Sequence, residues 1–261
     1  MMLYKYRSIN EFTFKLILDN ELYFAKPSEF NDPFDSRTKT IYHGTFNEWY
    51  TLFRRNGMNH DESKQKAEEW EGKVIDDSML GDRQASDDEN RILCLSQVRD
   101  NILMWAHYAD QHRGICLGFE VTELKKSRGL ELEEDDFELP NPNYPKGYLS
   151  ILDVNYNNVM PPPLNLLKES PSEIFRFLLR KNEDWKYEYE SRLFLVNDWI
   201  KRNPVRFKKK ILKEIIFGLR MSETDKKIIR DIITKNYVEN GFDVRIFQCH
   251  ESDVNYQLSI N

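Results

Sequence analysis

The 261-residue sequence predicts an α+β fold, with a mixed, mostly antiparallel sheet, flanking helices and a helical insertion at about residues 45–90. Three observations carry this. Apolar runs of strand length (Arg91–Gln97, Gly114–Val121, Lys213–Phe217) are interspersed with helical patterns, without the strict alternation and Gly-rich turns of a doubly wound sheet. Residues 45–90 are rich in Lys, Glu, Asp and Gln, with Trp49, Phe53 and Trp70 spaced for one helical face. No Gly-x-Gly-x-x-Gly or Walker loop occurs anywhere. The length favours one domain over residues 1–261.

In chain order, Leu3–Tyr6 reads as a short aromatic strand. Ser8 and Glu11 have capping-box spacing ahead of a helix whose apolar face is Phe12, Leu16 and Ile17. Leu22–Ala25 reads as a strand, and Phe30-Asn-Asp-Pro-Phe-Asp35 as a rigid turn, because a residue before proline is pushed out of the helical region. Two helices fill the insertion, which ends in a polar loop, Gly81–Asn90. After the strand Arg91–Gln97, Asp100 is placed to cap a helix over Ile102–Asp110. Gly114–Val121 is expected as a buried strand, Ser127–Gly147 as a mobile acidic loop, and Leu149–Tyr156 as another strand. Met160–Pro163 is stiff, Ser172–Asn182 has helical periodicity, and Tyr187–Val196 alternates as a strand. Arg206–Lys210 reads as a solvated helix face. Ser222 and Asp225 open a helix to about Tyr237, and Val244–Cys249 and Gln257–Ile260 close the chain as strands.

Composition narrows the function classes. The net charge of −6 gives no reason for coating nucleic acid by charge alone. Three cysteines, Cys94, Cys116 and Cys249, lie far apart and fit a reducing compartment. The start, MMLYKYRSIN, has no apolar signal core, and no window approaches the ~18–20 apolar residues of a membrane span. A soluble cytoplasmic protein is the expectation.

Four constellations could carry chemistry. On a strand, Glu188, Glu190 and Arg192 share one face, with the carboxylates ~7 Å apart. In a dry site such a pair splits its proton affinities. On a helix, His107 and Asp110 are one turn apart, though His112 does not complete a known zinc spacing. Asn31-Asp32-Pro33 makes a rigid corner that points Asn31 or Asp32 at a ligand or simply holds the turn. Arg7, at a strand end before a capped helix, is placed for a phosphate. For each, a solvated or purely structural role is the competing reading.

The series YKYRS, LYFAKPSEFNDPFD, LCLSQ, MWAHYADQHRGICLGF, WKYEYESRLF and IIFG, from Leu3 to Gly218, resembles the bacterial domain-of-unknown-function family 2971. Members of that family often look like accessory or toxin-like genes of bacterial defence islands. A second resemblance is to mono-ADP-ribosyltransferases of the Arg-Ser-Glu type, through Arg7, Ser96 and Glu188-x-Glu190 in that order. Here Leu-Ser-Gln stands where those enzymes carry Ser-Thr-Ser. This resemblance implies NAD as the cofactor, a nucleotide partner and an acceptor macromolecule. Arg7 would meet the dinucleotide phosphates and Ser96 would support the ribose site. Glu190 would stabilise an oxocarbenium-like cation or hold the ribose, and Glu188 would position or deprotonate the acceptor. His107, Tyr108, Asn31 and Asp32 are candidate contacts to the same nucleotide. Two alternatives stay open: a Mg²⁺-dependent nuclease using Asp184 and Lys186 with Asp32 or Asp35, and a non-enzymatic sensor or interaction module.

Overall fold

The computed structural model describes residues 1–76, 90–138, 144–196 and 199–261. Eight strands make the main sheet: β1 (Met2–Arg7), β2 (Asn90–Ser96), β3 (Ile115–Glu120), β4 (Leu152–Asp153), β5 (Glu190–Val196), β6 (Leu212–Phe217), β7 (Arg245–Glu251) and β8 (Leu258–Ile260). Their spatial order is β4-β5-β2-β1-β3-β6-β7-β8, and only β6–β7 is parallel. The expected α+β class and mostly antiparallel sheet are therefore present.

Among the described residues the α-helices are α1 (Glu11–Leu18), α2 (Phe46–Arg55), α3 (His60–Trp70), α4 (Ile102–Tyr108), α5 (Phe175–Leu178) and α6 (Glu223–Asn236). Alternation along β1 sorts its side chains. Leu3 enters the larger core with Leu16 and Ile17 of α1 and Ile229 and Ile233 of α6. Tyr4 and Tyr6 enter a second core with Met104 and Trp105 of α4, where Tyr6 meets Trp105 edge-on at 5.2 Å. The helices α2 and α3 carry a separate small core of Trp49, Phe53 and Ala67, beside the three short strands Thr40–His43, Val74–Asp76 and Leu164–Asn165.

The sheet is split near its middle. β2 is registered against β5 over seven residue pairs but against β1 at one, Tyr4–Ser96. Beyond that pair β1 and β2 part. The chain after α1 closes the far end of the opening, where Ala25 and Ile92 exchange backbone hydrogen bonds of 2.9 and 2.8 Å.

Several expectations are corrected. Asn10, not Ser8, caps α1, accepting the Thr13 N–H at 3.0 Å, and Asn101, not Asp100, caps α4. The strand expected over Leu22–Ala25 is reduced to Glu21–Leu22 and the Ala25 bridge. Ser127–Glu131 is a strand rather than the start of a mobile loop, because Leu130, Leu132 and Phe137 are buried in the larger core. Leu149–Tyr156 is broken into three short strands, Tyr148–Ser150, β4 and Asn155–Tyr156. The helix expected over Ser172–Asn182 stops after α5, and Arg180–Lys181 pairs in parallel with Asn155–Tyr156. Arg206 is tied to buried Asp136, Lys208 and Lys210 meet Glu131 and Glu134, and the helical part of the run is one 3₁₀ turn, Lys209–Ile211, so Arg206–Lys210 is not a single solvated helix face. Of the expected polar loop Gly81–Asn90, residues 81–89 lie outside the described residues and Asn90 opens β2. Among the described residues, no helix is long and apolar enough to cross a membrane.

Candidate functional site

The split between β1 and β2 opens into a cleft of about 920 Å³. β1 contributes Lys5 and Arg7, and β2 contributes Cys94 and Ser96. Phe12 and Lys15 come from α1, Tyr23 and Phe30 from the segment that follows it, and His107 and Tyr108 from the end of α4. Phe12 and Tyr23 are 60% and 50% exposed, so their ring faces are available to a planar ligand.

One wall is a buried ionic cluster built by four separate chain segments. Arg192 on β5 is 0% exposed. Its guanidinium donates to Asp35 at 2.5 and 2.8 Å, to Glu190 at 2.8 and 3.0 Å, to the Ser36 hydroxyl at 2.9 Å and to the Leu178 carbonyl at 2.6 Å. Lys181 lies 2.5 Å from Glu188, 3.1 Å from Glu190 and 3.4 Å from Asp35. Three carboxylates thus share two cations, and the surplus negative charge has to sit on one of them.

The surroundings decide which. Burial would raise the Glu190 carboxyl, but Arg192 and Lys181 hold it well below the usual carboxylate range. Glu188 lies out of reach of Arg192, and burial raises its proton affinity despite Lys181. The Tyr108 hydroxyl donates to Glu188 at 2.5 Å and accepts from the Asn31 amide at 3.2 Å. Burial would lower the Lys181 amine, but Glu190, Asp35 and Glu188 together raise it. Of the two, Glu188 is thus the carboxyl with raised proton affinity, and Glu190 is held as an anion.

Glu188 and Glu190 do not share a strand, as their alternation predicts. Glu183–Glu188 is a 3₁₀-helix, and Tyr189 takes the left-handed conformation at φ 44° before β5 begins. The two carboxylates converge through Lys181 instead. Ser96 ties this region to the sheet centre. It is registered with Tyr4 on one side and Glu190 on the other, and its hydroxyl donates to the Glu188 carbonyl at 2.6 Å.

Arg7 faces the same cleft under opposite conditions. Its Nε is buried without a hydrogen-bond partner, and among the described residues no carboxylate pairs with its guanidinium. Burial alone pulls its proton affinity down. An unpaired guanidinium in a cleft is a site for an anion.

Arg7, Ser96, His107, Tyr108, Asn31, Glu188 and Glu190 all line this cleft. Asp32 does not. It accepts the Phe34 N–H at 2.9 Å and lines a neighbouring cavity of about 230 Å³. The His107–Asp110 pair does not form either. α4 ends at Tyr108, Asp110 is left-handed at φ 47°, and its carboxylate holds Arg113 at 3.0 Å. Asp184 and Lys186 are exposed on the 3₁₀-helix and outside the cleft lining. Among the described residues, no group of three or more His, Cys, Asp or Glu is placed to hold a metal ion. Sequence reasoning missed Lys5 and Lys181. For Lys5 a signal existed, since Tyr4 and Tyr6 alternate with Lys5 and Arg7, but Lys181 stands in a polar stretch with no pattern.

Fold and site define a class: an α+β protein whose split sheet opens a cleft with an unpaired cation and a buried acidic cluster on its walls. Residues 104–193 match the model of the family described as "Protein of unknown function (DUF2971)". That match is narrower than the Leu3–Gly218 series. It takes in Tyr108, Lys181, Glu188, Glu190 and Arg192, and leaves out Arg7, Asn31, Asp35 and Ser96. No curated protein and no solved structure matches the chain.

Proposed function

We propose that the cleft binds NAD and that the protein transfers its ADP-ribosyl group to an acceptor, with Arg7 holding phosphate and Glu188 at the reacting end. The observation that carries this reading is the pairing of opposites in one hollow: Arg7 without a counter-ion, and Glu188 with raised proton affinity. Exposed aromatic faces at Phe12 and Tyr23 suit the planar rings of a dinucleotide.

The roles follow from the surroundings. In the reaction the bond between nicotinamide nitrogen and ribose carbon breaks, and its electron pair leaves with nicotinamide. Ionised Glu188 stabilises the cationic sugar. The acceptor's nucleophilic atom then bonds that carbon, and its proton passes to Glu188. Tyr108 and Lys181 hold the Glu188 carboxylate in place. Glu190, Asp35 and Arg192 position Lys181 and do not touch the substrate.

The test is calorimetric titration with NAD, coupled to an assay of nicotinamide release. Arg7→Ala should weaken NAD binding roughly ten- to a hundredfold, the worth of one charge-assisted contact. Glu188→Gln should bind NAD and release nicotinamide at least ~100-fold more slowly. NAD binding that is indifferent to Arg7, or release unchanged in Glu188→Gln, would discard the reading.

A further inference from the structure

The proposed reaction leaves one half-buried charge in the cleft unused. Lys5 precedes Arg7 by two residues on the same face of β1, so the two side chains leave the strand about 7 Å apart. Both line the cleft. The Lys5 amine makes one hydrogen bond, reaching across the split to the Cys94 carbonyl at 2.9 Å. Among the described residues, no carboxylate lies within ion-pair distance of it.

The acids on the neighbouring walls are engaged elsewhere. Glu21 pairs with Arg202, Glu29 accepts the Tyr23 hydroxyl and the Lys26 N–H, and Glu190 is held by Arg192 and Lys181. Burial lowers the proton affinity of the Lys5 amine and the charge on Arg7 works in the same direction, opposed by Cys94, Glu190 and Glu188. Two cations therefore stand side by side in a partly buried split, with no carboxylate among the described residues in direct ion-pair contact with either. Such an arrangement is unfavourable in the empty protein and becomes favourable when an anion arrives.

We propose that Lys5 and Arg7 form a two-point seat for a diphosphate group, with the planar fork of Arg7 on one phosphate and the Lys5 amine on the other. This rests on the cleft being a nucleotide site, and it narrows the ligand to compounds with two linked phosphates. The guanidinium supplies directional hydrogen bonds, while the ammonium supplies a point charge that accepts varied geometry. Lys15, exposed on α1 at the cleft mouth, adds a third positive charge along the way in.

The experiment titrates the full chain at constant ionic strength with inorganic pyrophosphate, orthophosphate, ADP and NAD. Wild type, Lys5→Met, Lys5→Arg and Arg7→Gln are compared. Pyrophosphate should bind wild type at least ~10-fold more tightly than orthophosphate, since a second charged contact is made. Lys5→Met should lose roughly ten- to a hundredfold in pyrophosphate, ADP and NAD affinity, and Lys5→Arg should recover most of it.

Ligand-free Lys5→Met should melt at or above the wild-type temperature, because a half-buried charge with no direct ion-pair partner among the described residues has gone. Unchanged pyrophosphate affinity in Lys5→Met would overturn the seat. So would a ligand-free Lys5→Met that melts well below wild type, as expected of a lysine that only holds the Cys94 carbonyl. Pyrophosphate and ADP binding through Lys5 without NAD binding would keep the seat and discard the NAD reading. NAD binding indifferent to Lys5→Met would do the reverse.

Discussion

Replacing Arg192 with methionine removes the cation on which the acidic wall depends. The wild-type guanidinium bonds both oxygens of Asp35 and both of Glu190 while fully buried. Methionine fills much of the volume and leaves three buried carboxylates to Lys181 alone. Removing one partner of a buried ion pair costs about 3–5 kcal/mol, because the remaining charge cannot return to water. For a chain of this size that corresponds to a melting temperature lower by about 6–20 °C. Equilibrium urea denaturation at pH 7.5 measures it.

The loss should also depend on pH. In wild type the Glu190 carboxyl is held low by Arg192 and Lys181 against burial. A depressed folded pKa contributes stability above the unfolded pKa, and that stability is lost as pH falls through the folded value. Without Arg192, burial dominates and the carboxyl rises instead. The difference between wild type and Arg192→Met should therefore be largest at pH 7–8 and shrink toward pH 5. Adding Glu190→Gln should recover part of it. A loss under about 1 kcal/mol, or one flat with pH, would refute the reading of this cluster as a charge-balanced unit.

Three further outcomes are expected. Glu188→Gln should melt at or above wild type at pH 7–8: a carboxyl whose folded pKa lies above its unfolded one loses stability as pH rises between the two, and the amide removes that cost, as paired melting curves at pH 5 and 8 would show. Tyr108→Phe removes a hydrogen bond that favours the Glu188 carboxylate, so the acidic limb of the nicotinamide-release profile should move to higher pH. Gly114→Ala would place a Cβ 2.1 Å from the Arg7 carbonyl oxygen, which should cost about 1–3 kcal/mol by denaturation and weaken pyrophosphate binding by displacing the end of β1.

Much of the fold is legible in the sequence because it follows from local pattern. The run ICLGFE is strand-like and buried, and Ser222 caps α6 by accepting the Asp225 N–H at 3.1 Å, as the capping box predicts. The α2–α3 pair is equally plain, because Trp49, Phe53 and Trp70 need one face to pack on. Where local pattern and tertiary packing disagree, the sequence misleads. Tyr187–Val196 alternates like one strand, yet its first residues are 3₁₀ and Tyr189 reverses handedness to bring Glu188 onto Lys181. Ser127–Gly147 reads as a polar loop because its apolar side chains are diluted by acids, but Leu130, Leu132 and Phe137 anchor residues 127–138 in the larger core, while residues 139–143 lie outside the described residues.

The candidate site divides in the same way. Arg7, Ser96 and the Glu188–Glu190 pair are visible as residue types in order, and the structure brings them to one cleft. The Arg192–Asp35 contact joins residues 157 positions apart, and no local pattern encodes it. Lys181 is equally hidden, since it becomes a site residue only once a two-residue strand places it among three carboxylates.

A crystal structure of the protein soaked with NAD tests the split-sheet site most directly. The dinucleotide should lie between β1 and β2, with its phosphates on the Arg7 guanidinium and Lys5 amine and its nicotinamide ribose beside Glu188. A fully occupied ligand elsewhere on the protein, or a cleft still empty at saturating NAD, would contradict it.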